Sequence, residues 1–359
     1  MIDWRSDESH VLLNPRLPAA ERETLEHAAQ QARLTGHVLI ASSGSTGAPR
    51  LVALSKNAIL ASAAAVNRHL GANREDVWSC VLPAFHVGGL AIHARSFLSG
   101  ARVVSAVWDV REFARSCDAE RVTLSALVPA QVVDLVRAAL RAPRSLRAIV
   151  VGGGPLRIDT YDAARELGWP VLPSYGMTEC CSQVATARGS SPELIVLDHL
   201  EVRSTEDGRL AVRGFSLLSG YVDGDGRLTD PKRDGWFLTN DLGEVRGRAL
   251  EVYGRVDDVV KIGGELVSVS RLEELLDSVR GEVDAVLVAV DDERLGSVIH
   301  LATTAADARA VTEAFNEGAL PFERIRRVHR LDAIPRTALG KVRRKDLQRA
   351  VAERMELPE

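Results

Sequence analysis

Residues 38–51 read VLIASSGSTGAPRL, an apolar run followed by a loop of small hydroxyl-bearing residues and glycine. The loop departs from the Walker-type phosphate loop, because Gly47 is followed by Ala48-Pro49 rather than by a lysine. Its hydroxyl and backbone amide groups can still donate hydrogen bonds to phosphate oxygens, and Arg50 adds positive charge. On spacing alone, a phosphate-binding loop and a plain strand-to-helix turn both stay open.

The chain around this loop alternates β-rich runs with helical stretches, which predicts parallel strands joined by crossover helices. The predicted strands are 38–41, 77–82, 102–106, 122–128, 146–151 and 171–174, and the clearest helices are 55–70, 129–140 and 159–168. Such sheets bind ligands at the carboxyl ends of their strands. Three Gly- or hydroxyl-rich loops are expected there, 42–47, 152–154 and 175–179.

Two further textures follow along the chain. After Pro192, tight turns at 206–209 and 223–226 predict antiparallel hairpins, and from about Asp257 helices and strands form a small α+β unit. The sequence therefore predicts a large N-terminal α/β domain, residues 1–256, that combines a parallel sheet and crossover helices with an antiparallel β subdomain. A short hinge joins it to a small C-terminal α+β domain, residues 257–359.

Composition excludes several classes of protein. With 359 residues, 46% apolar and 26% charged, the chain is typical of a globular protein with one large and one smaller domain, or with two domains of similar size. A net charge of -4 argues against a nucleic-acid partner, which requires a basic surface. Arginine is dense near the C-terminus, which indicates a solvated helix face or, alternatively, a site for an anionic ligand.

Localisation signals point to the cytoplasm. The N-terminal segment MIDWRSDESH is acidic where a signal peptide needs a basic start, and no apolar stretch reaches the length of a membrane span. The cysteines show no C-x-x-C spacing, which indicates neither a disulfide framework nor a zinc site; they are Cys80, Cys117, Cys180 and Cys181. We therefore expect a reducing cytoplasmic location.

The opening loop resembles the phosphate loop of the adenylate-forming superfamily, which includes acyl- and aryl-CoA synthetases, luciferases and peptide-synthetase adenylation domains. Five further segments match that superfamily in the same order along the chain. The resemblance implies binding of ATP, with phosphate contacts from Ser42, Ser43, Gly44, Ser45, Thr46, Gly47 and Arg50. Arg50 replaces the lysine usual in the superfamily, and arginine holds phosphate differently although the charge is kept.

The segment SYGMTE at 174–179 resembles the superfamily's Y-G-x-T-E motif. The resemblance implies that Tyr175 stacks on adenine, that Thr178 contacts the α-phosphate as a catalytic residue, and that Glu179 binds Mg²⁺. An aromatic face suits a purine, and a carboxylate suits Mg²⁺ beside phosphates. The same resemblance adds to the nucleotide site Ser174, Gly176, Met177 and the glycine-rich segment Gly152, Gly153 and Gly154.

Segments further along the chain complete the nucleotide site. TNDLG at 239–243 resembles the T-G-D motif with Asn in place of Gly, which implies that Asp241 holds the ribose hydroxyls. YGRVDD at 253–258 resembles the segment whose arginine, here Arg255, also contacts ribose.

The C-terminal segments imply the moving parts of the mechanism. The resemblance makes Asp257 the hinge and assigns Gly263 and Gly264 to the loop that lines the CoA tunnel in the thioester-forming step. IPRTALGKVR at 334–343 resembles the P-R-T-x-x-G-K segment, which makes Lys341 the catalytic lysine. A lysine that bridges the substrate carboxylate and the α-phosphate lowers the repulsion between two anions in the transition state.

The acid to be activated is indicated by residues 82–100, LPAFHVGGLAIHARSFLSG. This stretch resembles the o-succinylbenzoyl-CoA synthetases of menaquinone biosynthesis more than fatty-acyl or acetyl-CoA synthetases. The resemblance places Phe85, His86 and Arg95 at the acyl pocket, with His86 also among the catalytic residues. Taken alone, His86 is more typical of a core histidine, and Arg95 could equally face solvent.

Together these segments predict an ATP-dependent acid:CoA ligase that uses Mg²⁺ and coenzyme A, with 2-succinylbenzoate as the expected acid. The alternatives are another aryl- or acyl-CoA ligase, an enzyme that loads a carrier protein, and a nucleotide-binding homologue without turnover. Only 41 residues precede the phosphate loop, so we expect a shortened first subdomain relative to full-length members, and a homodimer is left open.

Overall fold

The computed structural model describes residues 2–43, 49–336 and 342–356. The chain divides into two compact units. The first comprises Met1–Thr205, Leu210–Thr239 and Glu244–Glu251, and the second comprises Glu206–Arg209, Asn240–Gly243 and Val252–Glu359. The predicted domain boundary between residues 256 and 257 stays a prediction.

Helices and strands alternate in the first part of the described chain, and strands dominate its middle. The helices are α1 Ala19–Gln31, α2 Lys56–Leu70, α3 Val87–Ser99, α4 Val110–Ala119, α5 Pro129–Arg137, α6 Ile158–Glu166, α7 Val269–Val279, α8 Arg309–Gly318 and α9 Arg344–Glu356. The early strands are β1 His10–Leu12, β2 His37–Ser43, β3 Pro49–Ser55, β4 Val77–Cys80, β5 Arg102–Ser105, β6 Leu124–Leu127, β7 Ala148–Val151 and β8 Val171–Met177. The next are β9 Ser182–Thr186, β10 Leu194–Val196, β11 Leu200–Ser204, β12 Arg209–Gly214, β13 Gly220–Val222, β14 Leu228–Thr229, β15 Phe237–Arg246 and β16 Ala249–Arg255. The last are β17 Val259–Ile262, β18 Glu265–Ser268, β19 Ala285–Asp292, β20 Gly296–Thr303 and β21 Ile325–Arg330, and short 3₁₀ turns span Thr178–Cys180 and Val256–Asp258.

The predicted parallel sheet is confirmed for five of its six strands. They run parallel in the order β5-β4-β6-β7-β8, with α3 to α6 in the connections between them. Strands β6 and β7 are buried along their whole length, as expected where helices cover both faces of a parallel sheet. Strand β8 then pairs antiparallel with β9, which extends the sheet into the antiparallel part of the chain.

An ion pair between a buried carboxylate and an exposed guanidinium lies at one end of this sheet. Asp76, 5% exposed, accepts from Arg147 Nε at 3.0 Å and from Arg147 Nη2 at 2.7 Å. Thr123 Oγ1 donates to the same carboxylate at 2.7 Å. Burial alone would raise the pKa of Asp76. The hydrogen bonds and the charge of Arg147 outweigh burial and hold this pKa below its usual value.

The prediction that residues 38–41 belong to the parallel sheet is wrong. Strand β2 lies in a separate sheet of order β1-β2-β3-β13-β14, in which Val38 pairs with Leu54 and Ser42 with Arg50. The reason is the apolar run 51–54, which is fully buried and forms a strand of its own. The loop after residue 43 therefore joins two antiparallel strands, so the alternative of a strand-to-helix turn is also wrong.

Local signals placed the helix ends well. The Ser55 hydroxyl accepts from Ala58 N at 3.1 Å and caps α2, and Gly71 ends that helix with φ 60°. Helix α5 begins at Pro129 as predicted but stops at Arg137, short of Leu140, where Ala139 takes a left-handed φ of 51°. The two predicted hairpins are present as β11–β12 and β13–β14.

The second unit is the predicted α+β arrangement. Strands β19 and β20 pair antiparallel over their full length, β21 lies parallel to β20, and α7 and α8 cover an apolar core that includes Leu272, Leu287 and Phe315. His300 on β20 and His329 on β21 are buried against each other, with 3.0 Å between Nδ1 and Nε2. Burial, together with His300 and nearby arginines, lowers the pKa of His329 to about 4.

Candidate active site

The predicted phosphate loop follows β2, which pairs antiparallel with β3. Ser42 and Ser43 are the last residues of β2, and Arg50 lies opposite Ser42 at the start of β3. The predicted phosphate contacts Gly44, Ser45, Thr46 and Gly47 lie outside the described residues. Arg50 Nε is buried, and no acceptor in the described part of the chain reaches it. A buried guanidinium N–H with no protein acceptor suits an anionic ligand.

The segment 174–179 begins as a strand and ends as a turn. The prediction of a loop from Tyr175 is wrong, because β8 continues to Met177 and Thr178 opens the following 3₁₀ turn. A bulge between Tyr175 and Gly176 shifts the pairing with β9. A Cβ atom on Gly176 would lie 2.0 Å from the carbonyl oxygen of Ser182, so only glycine fits this approach of two strands.

The carboxyl ends of β7 and β8 bring two predicted nucleotide segments together. Gly152 follows β7 directly, and its Cα lies beside Ser174 of β8, since an added Cβ would be 3.5 Å from the Ser174 carbonyl oxygen. Gly153 has φ 87°, which favours glycine, and Gly154 continues the turn. This is the edge at which a sheet of this type binds ligands.

Glu179 is held at both its backbone and its side chain. Leu218 N donates to the Glu179 carbonyl oxygen at 2.8 Å, and the Tyr221 hydroxyl donates to Glu179 Oε1 at 2.9 Å. A carboxylate keeps further lone pairs on its second oxygen, so this group can also bind a hard cation. No cluster of three or more acidic, His or Cys side chains exists in the described ranges. Mg²⁺ in nucleotide sites is usually held by one or two carboxylates plus phosphates, so the residues present fit that ion.

Tyr221 was missed by the sequence reasoning. Its ring lies under the guanidinium of Arg50, 3.5 Å from the Arg50 carbon to the ring centroid, while its hydroxyl reaches Glu179. Burial is the main effect that raises the pKa of Tyr221, and the charge of Glu179 adds to it. The phenol therefore stays neutral and acts as a donor. The aromatic residue in the hairpin 220–229 was the available signal, but nothing local in the sequence linked it to residues 50 and 179.

The aromatic segment packs at the start of α3. The rings of Phe85 and His86 lie 4.7 Å apart between centroids, and both side chains are partly buried. Burial lowers the pKa of His86, so its imidazole is neutral at pH 7. Gly89 fixes the entry of the helix, because a Cβ there would lie 2.3 Å from the Pro83 carbonyl oxygen.

Arg95 does not face solvent. Its side chain is 1% exposed and donates to Gln183 Oε1 at 2.5 Å and to Ser182 Oγ at 3.3 Å. Its guanidinium also lies 5.5 Å from the ring centroid of Trp78. Burial lowers the pKa of Arg95 to about 9, which still leaves it charged at pH 7. Both hydrogen-bond acceptors are neutral, and no carboxylate among the described residues forms an ion pair with it.

Two predicted nucleotide residues meet in the second unit. Arg255 Nη1 donates to Asp241 Oδ1 at 2.9 Å, and Asp241 is buried while Arg255 is half-exposed. Charge-assisted pairs of this kind fix side-chain geometry as well as adding energy. The two residues assigned to ribose by resemblance are therefore neighbours in the folded unit.

The remaining predicted residues lie along the second unit. Asp257 is in the 3₁₀ turn Val256–Asp258. Gly263 and Gly264, with φ of 60° and 97°, form the two-residue turn of the β17–β18 hairpin, a pattern typical of type I′ turns. Lys341 lies outside the described residues, and the flanking Arg336 and Val342 form an antiparallel bridge.

The described helices include none that is both long and apolar enough to cross a bilayer. 

The parallel sheet with glycine-rich segments at its carboxyl edge, followed by an α+β unit, defines a nucleotide-binding enzyme. The profile of the family of AMP-binding enzymes matches residues 21–222, more than half of the chain, and the chain belongs to this family.

The chain is similar to 2-succinylbenzoate–CoA ligases. It is 30% identical to that of Bacillus licheniformis over 326 residues, which cover 85% of this chain and 68% of the relative. It is 28% identical to that of Bacillus subtilis over 358 residues, which cover 91% and 73%.

Solved structures agree with these relatives. The o-succinylbenzoate CoA synthetase (MenE) of Bacillus subtilis in complex with the acyl-adenylate intermediate OSB-AMP has a TM-score of 0.79 at 28% identity, covering 87% of this chain and 68% of that one. The same enzyme in complex with ATP and magnesium ion has a TM-score of 0.78 at 28% identity, covering 86% and 69%. The predicted fold class and superfamily are confirmed.

Proposed function

We propose that this chain is an ATP-dependent acid:CoA ligase, AMP-forming, that acts on 2-succinylbenzoate in menaquinone biosynthesis. The acid carboxylate attacks the α-phosphorus of ATP, a P–O bond forms, and pyrophosphate leaves. The CoA thiol then loses its proton and attacks the acyl carbon, and AMP leaves with the bonding electron pair. The relatives that support this assignment match most of the chain and carry this name.

The observation that carries the substrate is the environment of Arg95. A fully buried guanidinium whose hydrogen-bond acceptors among the described residues are the neutral Gln183 and Ser182, with the Trp78 ring beside it, is costly unless an anion compensates it. 2-Succinylbenzoate has two carboxylates, and only one of them is adenylated. We assign the other to Arg95, beside the pocket residues Phe85 and His86.

The nucleotide roles follow from the arrangement of the first unit. We assign the adenine to Tyr175 and the glycine-rich segment 152–154, the α-phosphate to Thr178, and the metal to Glu179. Mg²⁺, when bound, screens the negative charge of the phosphates during attack by an anion. Arg50, which has an unsatisfied N–H among the described residues, is placed to donate to phosphate.

The second unit supplies the remaining roles. We assign the ribose hydroxyls to Asp241 with Arg255, the bridging ammonium to Lys341, the hinge to Asp257, and the thioester-forming loop to Gly263 and Gly264. We take residues 1–256 and 257–359 as the two domains. His86, neutral at pH 7, is a suitable acceptor for the thiol proton.

We place the enzyme in the cytoplasm, where ATP and CoA are available. All four cysteines are free thiols, as is usual in a reducing compartment.

The test is production of AMP and pyrophosphate from ATP and Mg²⁺ with 2-succinylbenzoate, with and without CoA. Benzoate, a medium-chain fatty acid and acetate are the competing acids. We expect CoA-dependent turnover and a thioester product with 2-succinylbenzoate, and loss of adenylation with retained ATP binding in Lys341→Ala. A preference for another acid would overturn the substrate, whereas unchanged turnover in Lys341→Ala would overturn the assignment of the lysine.

A further inference from the structure

Tyr221 contacts both charged side chains that the proposed function assigns to the metal and the phosphates. Its hydroxyl donates to Glu179 Oε1 at 2.9 Å, and the guanidinium carbon of Arg50 lies 3.5 Å from the centroid of its ring. We propose that Tyr221 is a positioning residue that fixes Glu179 for the metal and Arg50 for the phosphates. This inference rests on the proposed function, because it concerns the binding of MgATP.

The strand pairing explains why these three side chains meet. Tyr221 lies opposite Val52 in the antiparallel β13–β3 pair, and Arg50 is two residues from Val52 on the same face of β3. Diagonal neighbours of this kind are within reach of an aromatic and a long side chain. On its other side Tyr221 pairs with Thr229 of β14, so its backbone is held from both edges.

The same chain segment also fixes Glu179. Leu218 N donates to the Glu179 carbonyl oxygen at 2.8 Å, and Ser219 N donates to Ala53 O at 2.8 Å. Residue 218 therefore hydrogen-bonds to the backbone of Glu179, and residue 221 hydrogen-bonds to its carboxylate. The second contact comes from β13, which pairs with β3, and the first comes from the residues that lead directly into β13.

The chemistry of tyrosine suits a link between an anion and a cation that must both stay available to a ligand. A direct Arg–Glu ion pair would use the N–H groups of one and the oxygens of the other. Stacking of Arg50 on a ring occupies the face of the guanidinium and leaves its edge N–H groups as donors. A hydroxyl donor occupies one lone pair of Glu179 and leaves others for a cation.

This link also gives a physical reason for Arg50, where the superfamily usually has lysine. A planar guanidinium can stack on the Tyr221 ring, whereas an ammonium is a compact, strongly hydrated charge without a face. The position of Arg50 is thus coupled to the presence of an aromatic ring at residue 221.

The test is isothermal titration of the full chain with ATP, once with Mg²⁺ and once with EDTA. Tyr221→Phe keeps the ring and removes the hydroxyl, and we expect its Kd for MgATP to rise about tenfold while its Kd for metal-free ATP stays unchanged. Tyr221→Leu also removes the ring on which Arg50 stacks. We therefore expect the Kd of this variant for metal-free ATP to rise a few-fold as well. The matched control is Tyr161→Phe, which removes the hydrogen bond from a buried tyrosine to Ser190 O, 2.7 Å long, on α6.

Melting temperatures of the two Phe variants separate positioning from stability. The proposal is supported if both Phe variants lose a similar amount of melting temperature and only Tyr221→Phe changes the ratio of the Kd for MgATP to the Kd for metal-free ATP. An unchanged ratio in Tyr221→Phe overturns it, and this outcome is distinct from failure of the proposed function, in which the wild-type chain binds MgATP but forms no thioester. A wild-type chain that binds no ATP overturns both.

Discussion

Replacement of Arg95 by methionine separates the demands of stability from those of substrate binding. Arg95 is 1% exposed and carries a charge with neutral partners only, Gln183 and Ser182. Methionine fills a similar volume without a charge. If the guanidinium exists to bind a substrate carboxylate, its loss should lower activity without a matching loss of stability.

The magnitudes follow from the contacts. Replacing buried ionic groups by apolar side chains of similar volume is often neutral or stabilises a fold by about 1–4 kcal/mol. The stranded Gln183 Oε1 costs about 1–3 kcal/mol, so the free energy of unfolding should change by no more than about 3 kcal/mol in either direction. A hydrogen bond to a charged partner contributes about 1.5–3 kcal/mol to binding, so kcat/KM for 2-succinylbenzoate should fall roughly 10- to 150-fold.

The assay compares two acids in the adenylation step, and the rate is measured as the release of pyrophosphate. One is 2-succinylbenzoate and the other is its analogue without the carboxylate on the ring. We expect Arg95→Met to lose activity on the diacid while its kcat/KM for the analogue changes by less than about threefold. The matched control is Lys56→Met, since Lys56 is also a buried cation with neutral acceptors, donating to Asp3 O at 2.6 Å and Ser6 O at 2.9 Å. We expect this control to lower the melting temperature and to leave the ratio of kcat/KM for the two acids unchanged.

Equal losses of kcat/KM on both acids in Arg95→Met would refute the assignment of the second carboxylate. A large drop in melting temperature with an unchanged substrate ratio would show instead that Arg95 is a structural residue.

Three further predictions concern local geometry, the Asp76–Arg147 ion pair and pH. Gly176→Ala should abolish adenylation and lower the melting temperature, because its Cβ would lie 2.0 Å from the Ser182 carbonyl oxygen; Gly224→Ala, where no atom lies within 4 Å, is the control. Asp76→Ala should destabilise the chain by about 1.5–3 kcal/mol in urea unfolding, because it removes the charge-assisted hydrogen bonds from Arg147 while that exposed guanidinium stays hydrated, with kcat/KM of the folded enzyme unchanged. For His329, whose pKa falls to about 4 when folded, the neutral form is favoured, so stability is full above about pH 6.5 and declines as the pH drops towards 4, by up to about 1.4 kcal/mol per pH unit. His329→Gln should flatten that decline in urea unfolding measured at stepped pH, and an unchanged slope would contradict the attribution.

Local signals in the sequence predicted most elements because the physics that sets them is local. Ser55, Pro129 and Gly71 fix helix ends through capping and backbone conformation, and the buried strands β6 and β7 are continuous apolar runs. The pairing partner of β2 is not a local property. Residues 38–41 read equally well as a parallel or an antiparallel strand, and in the structure β2 pairs parallel with β1 and antiparallel with β3, whose residues 51–54 are buried.

The candidate site shows the same limit. Resemblance placed Glu179, Asp241 and Arg255 at plausible spacings, and the structure adds the Asp241–Arg255 contact of 2.9 Å. The resemblance could not reveal Tyr221, which lies 42 residues beyond Glu179 in the chain and donates to it. Nor could it decide whether Arg95 faces solvent or the interior, since the helical period around it is apolar on more than one side.

The turn after Glu179 brings the proposed metal residue and the hydrogen-bond partner of Arg95 onto one short segment. Cys181 and Ser182 have φ of 55° and 121°, two consecutive non-glycine residues in a region that costs about 1–3 kcal/mol each. That reversal sends the chain back along β8, with Glu179 on one side of the turn and Gln183, the partner of Arg95, on the other. A Cys181→Gly variant would relieve this strain but would also remove a fully buried side chain from the core, so the two effects oppose each other in the free energy of unfolding. If Glu179 and Arg95 have the roles proposed above, the relaxed turn should lower kcat rather than raise KM for ATP, and a raised KM with an unchanged kcat would contradict this.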